Sequence, residues 1–192
     1  ILIIEEKNKF LEQKIIQLQL LNSRLDNYRI ENEKLRKMLN FKESYDKLSL
    51  LAANIVNHNF STSINSIIID VGEKEGVSTN QAVMDMNGLL GKTITVGDKA
   101  SKIQMINDKN FAVSVRVGEK MILSIFKPEY GKFGILEGVI KSSKLNIGDI
   151  VYTSGISEIY PSNIPVAKVI NISKENDKPF QEVRVEVLAD LK

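Results

Sequence analysis

The apolar positions of the first forty-odd residues recur in sevens. Ile4, Leu11, Leu18, Leu25, Asn32 and Leu39 fall at one seam position, a, and Leu21, Tyr28 and Leu35 at the other, d. A seam repeating every 3.5 residues is what two helices need to wind around each other. No Gly or Pro interrupts residues 1–43, so nothing breaks the helix. At its usual rise such a helix is a rod of roughly 60 Å. Asn32 is the polar exception. One buried amide at a pairs with its copy on a parallel partner, which fixes register and favours two strands at a cost in stability. Glu31 at g meets Arg36 at e of such a partner, whereas Arg24 and Arg29 repel, and Lys7 and Lys14 at d weaken the start of the seam. An amphipathic helix folding back on its own domain would show the same stripe, but this one outruns any small domain behind it. The expected dimer contacts are Leu11, Leu18, Leu21, Leu25, Tyr28, Asn32, Leu35 and Leu39.

After residue 51 the texture changes to short apolar, β-branched runs between turn residues, with no second long helix. Residues 53–56, 64–71, 81–86, 89–96, 102–106, 121–126, 135–140, 150–153 and 166–173 read as strands. Phe111, Val113, Val115 and Val117 alternate with Ala112, Ser114, Arg116 and Gly118, and Val183, Val185 and Val187 alternate with Arg184, Glu186 and Leu188. Period two means one buried and one wet face. Asn87-Gly88 predicts a tight hairpin with positive φ at both residues. The fold class expected is therefore mainly β with an N-terminal α-helix: a long coiled-coil helix followed by two small antiparallel β-barrel domains. The expected boundaries are 1–46 for the helix, 47–104 for a first barrel completed by 166–192, and 105–165 for a second barrel. An internal echo supports two related modules, although chance among β-rich segments would also produce it. Gln81-Ala82-Val83 leads to Gly91-Lys92-Thr93-Ile94 as Asp149-Ile150-Val151 leads to Ala167-Lys168-Val169-Ile170.

Composition narrows the function. A formal charge of +2 in 192 residues gives no basic surface for nucleic acid. With no cysteine and one histidine, neither a thiolate metal site nor a disulfide framework exists. His58 is the one base of the usual kind for a hydrolytic triad. Thr153-Ser154-Gly155 resembles a nucleophile turn but lacks the surrounding G-x-S-x-G, and a turn serine before glycine is common for backbone reasons. No glycine-rich phosphate loop precedes a helix. No catalytic residue, cofactor or metal is expected. Phe60, Tyr130, Phe133 and Tyr160 are candidate contacts, or else caps on the barrel cores. The first residue is Ile rather than Met, so a trimmed piece of a longer chain is expected. Ile1-Leu2-Ile3-Ile4 is too short to span a membrane.

The ordered string of motifs resembles the MreC family of bacterial cell-shape scaffolds. It runs Glu33-Lys34-Leu35-Arg36-Lys37-Met38-Leu39, Ile67-Ile68-Ile69-Asp70-Val71-Gly72 with Gly76-Val77, and Asn87-Gly88-Leu89-Leu90-Gly91-Lys92. It continues with Gly148-Asp149-Ile150-Val151-Tyr152-Thr153-Ser154-Gly155-Ile156 and Tyr160-Pro161-Ser162-Asn163-Ile164-Pro165-Val166-Ala167-Lys168-Val169. Asn163 and Ala167 stand where the family usually has glycine. Asn tolerates positive φ, and a strand accepts the Ala methyl group. The resemblance implies a non-enzymatic homodimer, anchored by one membrane span ahead of this stretch and lying on the extracytoplasmic (periplasmic) side. It implies two six-stranded barrels, one discontinuous and completed by the chain end. It also implies work with MreD, RodA, the actin-like MreB and a class B penicillin-binding protein, with no nucleic acid. The alternatives are a periplasmic adaptor of an export system, which usually carries a helical hairpin with β-segments on both sides, and a two-barrel trypsin-like hydrolase, which would need His58.

Overall fold

The computed structural model describes residues 2–45, 48–60, 65–118, 120–174 and 179–191. It falls into two compact units, Ile1–Leu51 and Ala52–Lys192. The first contains one helix, α1 (Leu2–Ser44), as the uninterrupted heptads predict.

The described residues of the second unit form eleven strands and one 3-10 turn, Glu73–Glu75. The strands are β1 (Ile55–Phe60), β2 (Asn65–Ile69), β3 (Ala82–Met84), β4 (Leu89–Val96), β5 (Ser101–Met105), β6 (Val113–Val117), β7 (Ile122–Pro128), β8 (Phe133–Glu137), β9 (Ile150–Thr153), β10 (Pro165–Ser173) and β11 (Glu182–Val187). The first five form an antiparallel sheet in the order β1-β2-β5-β4-β3, and the other six close into a barrel, β10-β11-β8-β7-β6-β9. Alternation dictates the faces. Val113, Val115 and Val117 on β6 are buried while Ser114 and Arg116 are partly exposed. Val183, Val185 and Val187 of β11 point inward in the same way. One continuous core runs through both modules, from Ile67, Leu89 and Ile103 in the sheet to Phe126, Val151 and Val185 in the barrel.

The structure corrects the assignment of the chain end. Residues 166–192 were expected to complete the first module, but β10 and β11 are hydrogen-bonded into the second, where they seal the barrel between β9 and β8. The chain end still touches the sheet module: past Val187, the Asp190 N–H donates to the Asp85 carboxylate at 2.7 Å. Local sequence says that a run is a strand; it does not say which ladder the strand joins.

The hairpin at Asn87-Gly88 joins β3 to β4 as expected, by a different mechanism. Neither residue has positive φ. Instead Asp85 Oδ1 accepts the N–H groups of both Asn87 and Gly88 at 2.8 Å, so a carboxylate organises the turn. Gly88 is needed for proximity: a Cβ there would lie 2.5 Å from the Pro165 carbonyl oxygen. Asn163, by contrast, has a φ of 72°, the left-handed conformation that its amide side chain tolerates.

The internal echo corresponds to a structural repeat. Ala82 faces Lys92 and Val83 faces Gly91 across β3–β4; Ile150 faces Lys168 and Val151 faces Ala167 across β9–β10. The N–H groups of Asn80 and Thr93 bond to Thr93 and Gln81 as those of Gly148 and Val169 bond to Val169 and Asp149. Asn80 and Gly148 both take positive φ. A bulge then skips Ile94 in β4 against β5 and Ile170 in β10 against β11. The order β3-β4-β5-β2-β1 thus matches β9-β10-β11-β8-β7, and among the described residues the sheet has no counterpart of β6.

Candidate functional site: the exposed seam of the helix

Every side chain of α1 from residue 11 to 40 is exposed to solvent in the single chain. Leu18, Leu25, Leu35 and Leu39 each keep half or more of their surface in water. Full burial of a leucine stabilises by about 1.5–3 kcal/mol, and most helices in proteins owe their stability to a packed apolar face rather than to propensity. The candidate contacts Leu11, Leu18, Leu21, Leu25, Tyr28, Leu35 and Leu39 are all large, exposed and spaced to lie along one side of the rod. Asn32 lies on the same line, and its Oδ1 accepts from Arg36 Nε one turn later at 2.8 Å. Asp26 and Arg29 form a weak pair at 3.8 Å. The heptad reading did not single out Ile15, Ile16, Leu20 and Ile30, which are equally exposed and fall at e, f and c rather than at a or d.

The other candidates divide. Tyr160 is a core residue, meeting the Phe111 ring edge-on with centroids 6.0 Å apart. Burial pushes its phenol well above the usual range. Tyr130 is 90% exposed, and Phe133 is partly exposed beneath the Lys132 ammonium. The side chains of Phe60 and His58 lie outside the described residues; the His58 backbone is a rung of β1, opposite Ile67. Thr153 and Ser154 have structural partners. Thr153 Oγ1 donates to the Pro161 carbonyl and accepts from the Ile164 N–H at 2.9 Å, and Ser154 Oγ meets Ser114 Oγ at 2.9 Å. Among the described residues no three His, Asp or Glu side chains gather as metal ligands, and no helix is long and apolar enough to cross a membrane.

One clasp was not legible in the sequence. The Asn54 N–H and Nδ2 donate to the two Asp70 carboxylate oxygens at 2.7 and 2.9 Å, and the Asp70 N–H returns to the Asn54 carbonyl at 3.1 Å. These bonds favour the ionised form, so the Asp70 carboxyl is held below its ordinary value.

Residues 55–192, the whole β body, match the sequence profile of the rod shape-determining protein MreC, barrel core. The chain belongs to the MreC family. It is 26% identical to the cell shape-determining protein MreC of Haemophilus influenzae over 97% of this chain and 53% of the relative, and 25% identical to that of Escherichia coli over 98% and 51%. The chain therefore spans about half the length of these MreC proteins. Among solved structures, one MreC superposes with a TM-score of 0.77 at 25% identity, covering 84% of this chain and 92% of that one. Listeria MreC superposes at 0.67 and 25% identity over 96% and 90%. A complex between a penicillin-binding protein (PBP2) and MreC from Helicobacter pylori shares the fold at 0.56 and 19% identity, over 72% of this chain and 86% of that one. Membership in MreC supersedes the export-adaptor and hydrolase alternatives.

Proposed function

We propose that this chain is the extracytoplasmic part of a non-enzymatic cell-shape scaffold, dimerising through α1 and organising peptidoglycan synthases during wall elongation. The observation that carries the reading is the apolar seam from Leu11 to Leu39, joined to an MreC β body and exposed along its length in the single chain. In a parallel pair the seam residues bury one another, and Asn32 beside its copy sets the register. Two β bodies are then held together, which raises the effective concentration of anything bound to either. A class B penicillin-binding protein is the partner supported by the Helicobacter pylori complex; MreD, RodA and MreB follow from the family's role. The extracytoplasmic placement is supported by a relative whose solved part is described as the major periplasmic domain. The helix serves dimerisation and the two β modules serve recruitment.

Leu25→Asp places a carboxylate in the middle of the seam and is expected to shift the chain from dimer to monomer in multi-angle light scattering. An unaltered dimer mass would remove α1 as the dimerisation element. In the cell, depletion is expected to produce rounding and disordered wall synthesis; normal shape would overturn the scaffold reading.

A further inference from the structure

The barrel has two unlike outer faces. Around β8 and β11 the exposed charges are paired, above the apolar Phe133 and Ile135 of β8: Arg184 meets Glu129 at 3.0 Å, and Lys132 meets Glu186. The face made by β9, β6 and β7 is different. Arg116 lies opposite Tyr152 on β9 and Leu123 on β7, and Ser114 lies opposite Ile125 in the next row. Leu123 is 56% exposed and Ile125 46%. Met121 sits beyond them at the hairpin tip, exposed, with Arg116 Nη1 on its sulfur at 3.3 Å. Large aliphatic side chains on the wet side of a closed barrel do nothing for its own core. A contiguous set of them marks a docking site.

The charge at the centre selects the occupant. Arg116 has no carboxylate within ion-pairing distance among the described residues; its recorded side-chain contact is the Met121 sulfur. A second copy docked on the same face by a two-fold axis would bring one such cation against another, which disfavours self-association here. An anion supplied by a different protein satisfies it. We propose that the β9–β6–β7 face docks an apolar segment of the penicillin-binding partner carrying an Asp or Glu opposite Arg116. This assignment rests on the synthase reading above and adds the surface to it.

The test is calorimetric binding of the full 192-residue chain to the extracytoplasmic part of the class B penicillin-binding protein from the same cell. Leu123→Asp and Arg116→Glu are each expected to weaken binding about tenfold or more, with helical and strand circular dichroism unchanged. Lys168→Glu, on the outward side of β10, is the control and is expected to bind as the parent does. If the parent binds and both face variants bind equally well, the surface is wrong and the synthase reading stands. If the parent does not bind, the synthase reading fails and takes this surface with it. Loss of self-association in Leu123→Asp, with partner binding intact, would assign the face to a second copy and overturn the proposal.

Discussion

The five-stranded sheet and the six-stranded barrel are two versions of one ladder, and they differ by one strand. In the barrel, β6 bridges β7 and β9 and shuts the inner face away from water. Phe126 of β7, opposite Leu136, is fully buried there. The corresponding place in the sheet is Ile55 of β1, opposite Ile69, and it remains 47% exposed. Side-chain size has been exchanged to match. The Phe126 ring lies over Gly134, where a Cβ would come within 2.4 Å of it; the equivalent of Gly134 in the sheet is Ile67, fully buried. A closed barrel can fill its centre with one large ring against a glycine. An open sheet spreads the same volume over two isoleucines, one of them half wet.

The largest effect expected from this difference is at Phe126. Phe126→Ala empties a closed interior and is expected to cost about 3–5 kcal/mol, whereas Ile55→Ala, half wet already, is expected to cost about 1 kcal/mol, toward the small end for a lost aliphatic side chain. Urea titration followed by far-ultraviolet circular dichroism distinguishes the two, and equal losses would mean that the sheet is as closed as the barrel. An intermediate effect is expected where the modules touch. Gly88→Ala forces the hairpin away from the Pro165 carbonyl and is expected to cost about 1–3 kcal/mol, as overpacking does. Because that contact belongs to both modules, amide signals in β4 and β10 should shift together in a two-dimensional spectrum; a shift confined to β4 would mean that the modules respond independently.

The smallest effect is an acid one, specific to the sheet. Asp70 is held below the ordinary carboxylate value of 3.8 by the bonds from Asn54. A depressed carboxylate contributes stability that is fully present above its unfolded value and disappears as pH falls through its folded one. The entry to β1 should therefore loosen below about pH 4 while the barrel is unchanged. Hydrogen exchange at Ile55 and Val56 across that range tests it, and Asp70→Asn should flatten the dependence.

Much of this was legible from residue order. β4 and β9 lie where the apolar runs put them, and the period-two alternation of Val113, Val115 and Val117 matches the burial of β6. The repeat was visible in matching positions such as Val83 and Val151 or Lys92 and Lys168. Other features were hidden for physical reasons. Residues 57–60 of β1 include Asn57-His58-Asn59, which looks like loop because hydrogen bonds from β2, rather than an apolar pattern, make it a strand. The turn at Asp85 looked like an Asn-Gly hairpin because a carboxylate accepting two N–H groups leaves no pattern of its own. The destination of β10 and β11 depends on pairings across long separations, such as Leu136 with Val183, which local runs do not encode. The long helix was legible from the uninterrupted heptads; what covers its exposed leucines is not written in one copy.

Closing one module and leaving the other open also bears on aggregation. A barrel has no edge, but a sheet offers its outer strands as templates to any stray chain. The two outer strands here are poor templates. β3 is three residues long, and β1 is kinked by a register shift between Ile55 and Asn57, then continues through Asn57, His58 and Asn59. Short, bent and polar edges are how soluble proteins discourage runaway strand pairing. That protection lies at the two edges that a counterpart of β6 would otherwise cover.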